Sequence, residues 1–398
     1  MIGNKGRPQR RMVRLSVAVA ALLSVTAACG SGDGGGSGPA ASDELPDTVK
    51  VVSVNAITGP SGFAGVSANK GYELAIKEIN DTDFLDGTKL DITYADTKGE
   101  PQTAAQELTK TTTAGDVSAV FGSVASSDAV AMSPLAEKEK MPIIYTQAGS
   151  DGVVVGDYTW RVTPLMRTYY TNLKKWIEET GAKSLGIIYT EATPTLQNIG
   201  KETLPAMAEE LGIEVTTSIG TPATTQDYAA PISQVLDTDP DLVSILLVGA
   251  SNPTAMTQLR QAGYDGPVLG NSGASAGNLE PAGEAGNGMV WAADFNFQQQ
   301  AASSQDFVKK YNEEFGEDPL NYAAEAYDAA WFLARALKES GSADRESIKD
   351  ALATVGAESY DGALGEGVTF DEQTVVVPGV VIEYSTEGEE LLYEGTGE

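Results

Sequence analysis

Residues 119–150, AVFGSVASSDAVAMSPLAEKEKMPIIYTQAGS, constrain the fold of this chain more than any other stretch. An apolar run, Ala119-Val120-Phe121, ends at Gly122 and gives way to Ser123, Ser126 and Ser127. A helix-like segment over 129–140 follows, then a second apolar run over 142–145 that ends in Thr146, Gln147, Gly149 and Ser150. Strand, loop, helix, strand and loop in this length make one βαβ unit. Both polar loops then fall at the carboxyl ends of parallel strands, where open α/β sheets bind ligands. Ser126 and Ser127 also stand where the helix begins, so helix capping is as fitting a role for either one as ligand binding.

The same alternation recurs along the chain. Strands are expected at 48–54, 89–94, 184–189, 213–217, 242–248, 267–269 and 289–292, with helices between them. The run LVSILLV at 242–248 is continuously apolar, which suits a sheet covered on both faces. A Gly/Pro-rich loop is expected at 56–65, and WRVTP at 160–164 reads as a crossing point between two strand–helix halves. Two helices are expected near 307–315 and 322–338, and strands in the tail at 368–393. Tyr327 and Trp331 lie on a helical stripe and read as core. The fold class is therefore α/β, with two lobes, each a mostly parallel sheet flanked by helices.

The first 28 residues read as an export leader rather than as part of the fold. They carry Lys5, Arg7, Arg10, Arg11 and Arg14 and no acid, followed by a short apolar run and Thr26-Ala27-Ala28. Cys29, the only cysteine, comes directly afterwards in a lipobox-like context, with Thr26 in a position where Leu is commonest. Residues 29–46 then read as a lipid-anchored, Gly/Ser-rich tether. Localisation is expected at the extracellular face of the cell membrane, attached only through lipid. The pair Arg10-Arg11 leaves twin-arginine and general export both open. The leader holds five of the 26 basic residues and none of the 56 acids, so its removal deepens a net charge of −30. Nucleic acid is not an expected partner of so acidic a chain.

Several chemistries are excluded. The chain has no His and no Cys besides Cys29. That removes His-based triads, proton relays and His or Cys metal sites. No dinucleotide fingerprint or Walker run occurs, and Gly59-Pro60-Ser61-Gly62 lacks the Lys-Ser/Thr ending of a phosphate loop. No catalytic residue, cofactor or metal is expected. A pair of carboxylates acting on a glycoside is not excluded by counting.

An ordered set of short motifs resembles the branched-chain amino-acid-type substrate-binding proteins of ABC transporters, of the leucine/isoleucine/valine-binding kind. It begins with Thr58-Gly59-Pro60 and Gly65, continues through Ile76-Lys77-Glu78-Ile79-Asn80 and Tyr94-Ala95-Asp96-Thr97, and includes Met141-Pro142-Ile143 and Trp160-Arg161-Val162-Thr163-Pro164. It ends with Gln258 to Gly263, Ala326-Tyr327-Asp328-Ala329-Ala330 and Val368-Thr369-Phe370-Asp371. The resemblance implies a type I periplasmic-binding-protein fold with three hinge crossovers. The first lobe would comprise 47–164 and about 296–365; the second would comprise about 165–295 and 366–398. It also implies ABC permease subunits as partners and a small-molecule ligand held in the cleft.

Position by position, the resemblance places a ligand-binding hydroxyl at Ser126, with Ser127 beside it, and a backbone contact at Gln147. The nearby hydroxyl falls on Gly149, with Ser150 as its substitute, and the aromatic of the first loop falls near Ala64, with Phe63 standing in. The second lobe departs from the pattern. Where the family's amino-acid binders carry an acid for the ligand ammonium, this chain has Ser272, and their tyrosine falls on Ser251 or Asn252. Glu191 is the alternative partner for an ammonium, or else a solvated loop acid. These departures argue against a leucine-like ligand and leave amino acids of other kinds, amides, small carboxylates and aromatic acids. The function expected is solute capture for an importer; a sensor domain built on the same lobes and, more distantly, a carboxylate-dependent hydrolase are the alternatives.

Overall fold

The computed structural model describes residues 44–395. The export leader, Cys29, the tether up to residue 43 and the last three residues lie outside the described residues. In chain order the strands are β1 (Thr48–Asn55), β2 (Lys89–Asp96), β3 (Ala119–Phe121), β4 (Ile143–Tyr145) and β5 (Thr159–Arg161). They continue with β6 (Ser184–Thr190), β7 (Glu214–Thr221), β8 (Leu242–Leu246), β9 (Val268–Leu269) and β10 (Met289–Ala293). The tail supplies β11 (Tyr360–Gly362), β12 (Gly365–Asp371), β13 (Thr374–Val376), β14 (Val380–Ser385) and β15 (Gly388–Glu394).

These strands form two sheets. The first has the order β11-β12-β13-β5-β4-β3-β1-β2, and the second β15-β14-β10-β9-β8-β6-β7. Pairing is parallel throughout β1–β5 and β6–β10, with antiparallel strands added from the tail. Successive side chains of a strand point to opposite faces, and the cores show it. Ala119 and Phe121 of β3 pack into one core of the first lobe, and Val120 between them packs into another. Leu242 and Leu246 of β8 likewise face one core of the second lobe, and Val243 and Ile245 the other. All five residues of β8 are buried, whereas the edge strand β2 alternates with exposed positions. Continuous apolar runs thus mark strands with helices on both sides.

Two glycines expected in a loop lie in a helix instead. The helix Gly62–Asp81 starts at Gly62, within the expected loop 56–65. A Cβ at Gly65 would sit 1.8 Å from the Ala56 carbonyl oxygen, and one at Gly71 2.1 Å from that of Ala323. Their role is close approach, to the end of β1 and to the helix Asn321–Ser340, and not turn formation. This places Phe63 on the first turn of a packed helix.

The chain passes between the lobes three times. Val162 packs in the first lobe and Met166 in the second; Ala293 in the second and Phe295 in the first; Val377 in the first and Val380 in the second. The last crossing corrects the expected boundary at 365/366. β12 and β13 belong to the first sheet, where Thr374 pairs in parallel with Arg161. Phe370 draws them there, stacking on Phe332 at 4.5 Å and meeting Trp160 edge-on at 5.4 Å. Only residues after Gly379 join the second lobe. Among the described residues no helix is long and apolar enough to cross a membrane.

Candidate functional site

A cavity of 280 Å³ lies between the lobes, at the carboxyl ends of their central parallel strands. That is a size for a metabolite rather than a peptide. The first lobe contributes Phe63, Ser126, Ser127, Gln147 and Tyr322; the second contributes Thr190, Thr195, Tyr228, Leu247, Ser251 and Ser272.

The first-lobe wall is tied together from behind. The Asp96 carboxylate, at the end of β2, accepts from the backbone N–H groups of Ile57 (3.0 Å), Thr58 (3.1 Å) and Lys98 (2.9 Å) and from the Thr58 hydroxyl (2.6 Å). Desolvation pushes this carboxyl up, but the four hydrogen bonds outweigh it and hold it at about 2. The loop leading to Phe63 is thereby fixed. The Asn55 side chain, at the end of β1, accepts from the N–H groups of Ala56 and Val124, each at 2.9 Å. It joins that loop to the one before Ser126. Asp128 adds bonds from Thr97 (2.5 Å) and Ser123 (3.0 Å), with burial raising its carboxyl.

The helix Ser126–Lys138 begins at the cavity, and its N-cap is Ala125, which has no side chain to cap it. Ser126 does not cap it either; its hydroxyl meets that of Thr195 across the cleft at 2.8 Å. The first-turn amides therefore point their partial positive charge toward the cavity end of the helix.

Gln147 is the second link between lobes. Its backbone has φ = 52°, a left-handed conformation that costs a non-glycine residue energy and recurs at functional sites. Its amide Nε2 donates to Ser272 Oγ (3.3 Å), and its Oε1 accepts from Asn321 Nδ2 (2.7 Å). Its backbone N–H faces the Glu325 carboxyl. Tyr322 completes the crossing set, donating its hydroxyl to the Ser272 carbonyl at 2.8 Å. The lobes also approach each other at Gly249 (φ 53°), where a Cβ would lie 2.8 Å from the Pro60 carbonyl oxygen.

Behind Gln147 the hinge holds two buried acids. Asp294, at the second crossing, accepts from Thr163 Oγ1 of the first crossing at 3.0 Å and lies 3.2 Å from Asn321 Nδ2. Asn321 also reaches Glu325 at 3.0 Å. Burial, and then the neighbouring Asp294 charge, drive Glu325 well above the usual carboxyl range; burial also raises Asp294 against its hydrogen bonds. Both carboxyls are therefore held toward their protonated forms.

Five of the seven expected residues come together: Phe63, Ser126, Ser127, Gln147 and Ser272 line the cavity. Two do not. Ser150 is buried outside it; its carbonyl accepts from Arg161 Nη1 at 2.7 Å and its hydroxyl has no partner. Arg161 also holds the Ala148 carbonyl at 3.1 Å, so this end of the loop belongs to the hinge strand rather than to the cleft. Glu191 is exposed and turns toward β7, where its carboxylate would lie 2.6 Å from a Cβ at Gly220. Asn252 holds the carbonyls of Leu247 (3.1 Å) and Gly273 (3.0 Å), leaving Ser251 at the cavity. Sequence reasoning named none of Thr195, Tyr228 and Tyr322 as site residues, although Thr195 lies five residues past the end of β6, as Ser126 does past the end of β3; the crossing of the lobes brings all three to the cavity.

Comparisons with known proteins agree with this geometry. Residues 48–386 match the sequence family described as periplasmic binding protein. The chain is similar to the leucine-, isoleucine-, valine-, threonine- and alanine-binding protein of Pseudomonas aeruginosa, 26% identical over 82% of this chain and 87% of that one. Its fold is similar to the leucine-binding protein LivK of Thermotoga maritima (TM-score 0.80, 23% identity, 87% of this chain and 98% of that one). It is also similar to a solute-binding protein of an ABC transporter from R. palustris, in complex with benzoate (TM-score 0.76, 19% identity, 87% and 96% of the two chains). Two α/β lobes joined by three crossings around a shared cavity, with a family match across both lobes, make this chain a member of the periplasmic binding protein family with a type I fold.

Proposed function

We propose that the protein is the extracytoplasmic solute-binding lipoprotein of an ABC importer and captures a small polar solute by closure of its two lobes. The observation that carries this reading is the cavity itself, with hydrogen-bonding groups contributed by both lobes and with direct lobe-to-lobe bonds at Ser126–Thr195 and Gln147–Ser272. A ligand seated there contacts one lobe first; rotation about the crossings then adds contacts from the other and removes water. Its differential contacts favour the closed form, which is what permease subunits would recognise.

The solutes considered are amino acids, amides and small carboxylates. The relatives support that range: one is named for five amino acids and another was crystallised with benzoate. Lipid at Cys29 and the Gly/Ser-rich tether would hold the lobes beside the permease without inserting them. A thermal-shift screen of the purified protein against these three classes tests the reading. The expected result is a rise in melting temperature with a small set of related solutes; a blank screen across all three would count against solute capture.

A further inference from the structure

Among the described residues, the cavity wall contains no Asp, Glu, Lys or Arg. From this, and resting on the receptor reading of the cleft, we propose that the ligand is an organic acid with an apolar body and no ammonium group.

An ammonium taken out of water needs acceptors, and an unpaired buried charge costs several kcal/mol. The wall gives it little. The acids beside the second-lobe wall in sequence, Glu191 and Asp227, are both exposed and outside the lining, and Asp227 already accepts from the Ala229 N–H and the Gln258 amide. The side chain of Asn271 spends its oxygen on the Gly273 N–H (2.8 Å) and its NH₂ on the Leu247 carbonyl (3.1 Å). The Ser272 carbonyl already accepts from Tyr322, and the Ser272 hydroxyl from Gln147. Nor is there an open aromatic cage, because Phe63 and Tyr322 pack edge to face on each other, with ring centres 5.6 Å apart at 79°.

Donors are better supplied. The uncapped first turn at Ser126 and Ser127 offers backbone N–H groups with the helix dipole behind them, and the Ser127 hydroxyl stands beside them. A carboxylate needs such donors and no counter-ion. The remaining lining, with Met166, Leu196, Leu247 and Val248, suits an apolar body. The two buried acids of the hinge do not alter this balance: they lie behind Gln147, outside the lining.

Matched pairs differing only in the amino group test the proposal by titration calorimetry of the purified protein. They are 4-methylpentanoate against leucine and 3-phenylpropanoate against phenylalanine, with benzoate and 4-methylpentanamide added. The expected result is that at least one acid binds about tenfold or more tighter than its amino-acid partner. An amino acid that binds tighter than its partner acid overturns the absence of an ammonium site, and an amide that matches its acid overturns the anionic head. If no acid binds while the thermal-shift screen yields a ligand of another class, the inference falls and solute capture stands. If the screen is blank as well, both fall.

Discussion

The cleft and the hinge behind it are built on opposite electrostatic plans, although Gln147 and Asn321 join them through one hydrogen bond of 2.7 Å. The cleft is lined by hydroxyls, amides and apolar groups, without a charged side chain among the described residues. The hinge buries two carboxyls, Asp294 and Glu325, side by side. An uncharged wall can open to water and close again at small electrostatic cost, and it leaves the charge of the site to the ligand. The acids sit where the crossings meet, where the bonds from Thr163 and Asn321 define one arrangement of the chain. The contrast teaches that the buried acids of the crossings and the uncharged wall of the cleft can be disturbed separately.

The largest effect is expected at the rim. Gly249→Ala places a methyl group 2.8 Å from the Pro60 carbonyl and wedges the lobes apart. Closure should lose about 1–3 kcal/mol, the usual cost of overpacking, seen as a five- to hundredfold weaker Kd (approximate range) in calorimetry. The left-handed backbone adds a stability cost of about 1–2 kcal/mol that acts on open and closed forms alike. An unchanged Kd would mean that the two rims do not meet in the bound state.

Ser126→Ala should come next. It removes the hydroxyl pair with Thr195, worth about 1 kcal/mol net, and should weaken binding about fivefold with little change in melting temperature. Thr195→Val should produce a similar loss, and the double variant no further loss beyond about twofold. Full additivity would show that the two hydroxyls act separately.

Glu325→Gln separates the hinge from the cleft. Burial raises both hinge carboxyls, so the folded protein keeps a proton that the unfolded chain releases once pH exceeds the ordinary carboxyl range of about 4. The stability associated with that proton is complete below that range and is lost as pH rises toward the elevated folded values. No basic side chain is among the principal influences on either acid; Tyr72, Tyr169 and Tyr322, all buried, are the other titratable groups facing them. Melting temperature in the wild type should therefore fall through this pair as pH rises above the ordinary carboxyl range of about 4, and Glu325→Gln should flatten the fall. An equal slope in both proteins would place the proton elsewhere.

The smallest effects are expected outside the cavity. Glu191→Gln and Ser150→Ala should leave Kd unchanged within about twofold, because neither residue lines the cleft. Ser150→Ala also deletes a buried hydroxyl without a partner and should leave stability equal or slightly higher.

Much of the architecture was legible in the sequence because its signals are local. The runs at β1, β3, β6 and β8 and the loops that follow them carry their burial in their own composition, so both lobes and the loops of Ser126, Ser127 and Gln147 could be anticipated, while Phe63 and Ser272 came from the family resemblance. What was not legible depends on contacts distant in the chain. Gly62 and Gly65 look like loop residues until the nearness of the helix to Ala56 and Ile57 is known. Phe370 shows its lobe only once Trp160 and Phe332 stand beside it, which displaced the boundary of the tail. Ser150 and Gln147 are three residues apart in one polar loop, yet Arg161 takes the first for the hinge and leaves the second at the cleft. Tyr322, at the start of a helix whose residues are mostly buried, has no strand-end position to mark it.

The account depends on the two lobes closing over a small solute. Small-angle X-ray scattering of the purified protein, with and without a solute from the thermal-shift screen, measures this directly. The prediction is a smaller radius of gyration with solute, with a bound profile that fits the arrangement described here and a free profile that needs a wider angle between lobes. Profiles that superimpose, while calorimetry shows the solute bound, would contradict closure as the mechanism of capture.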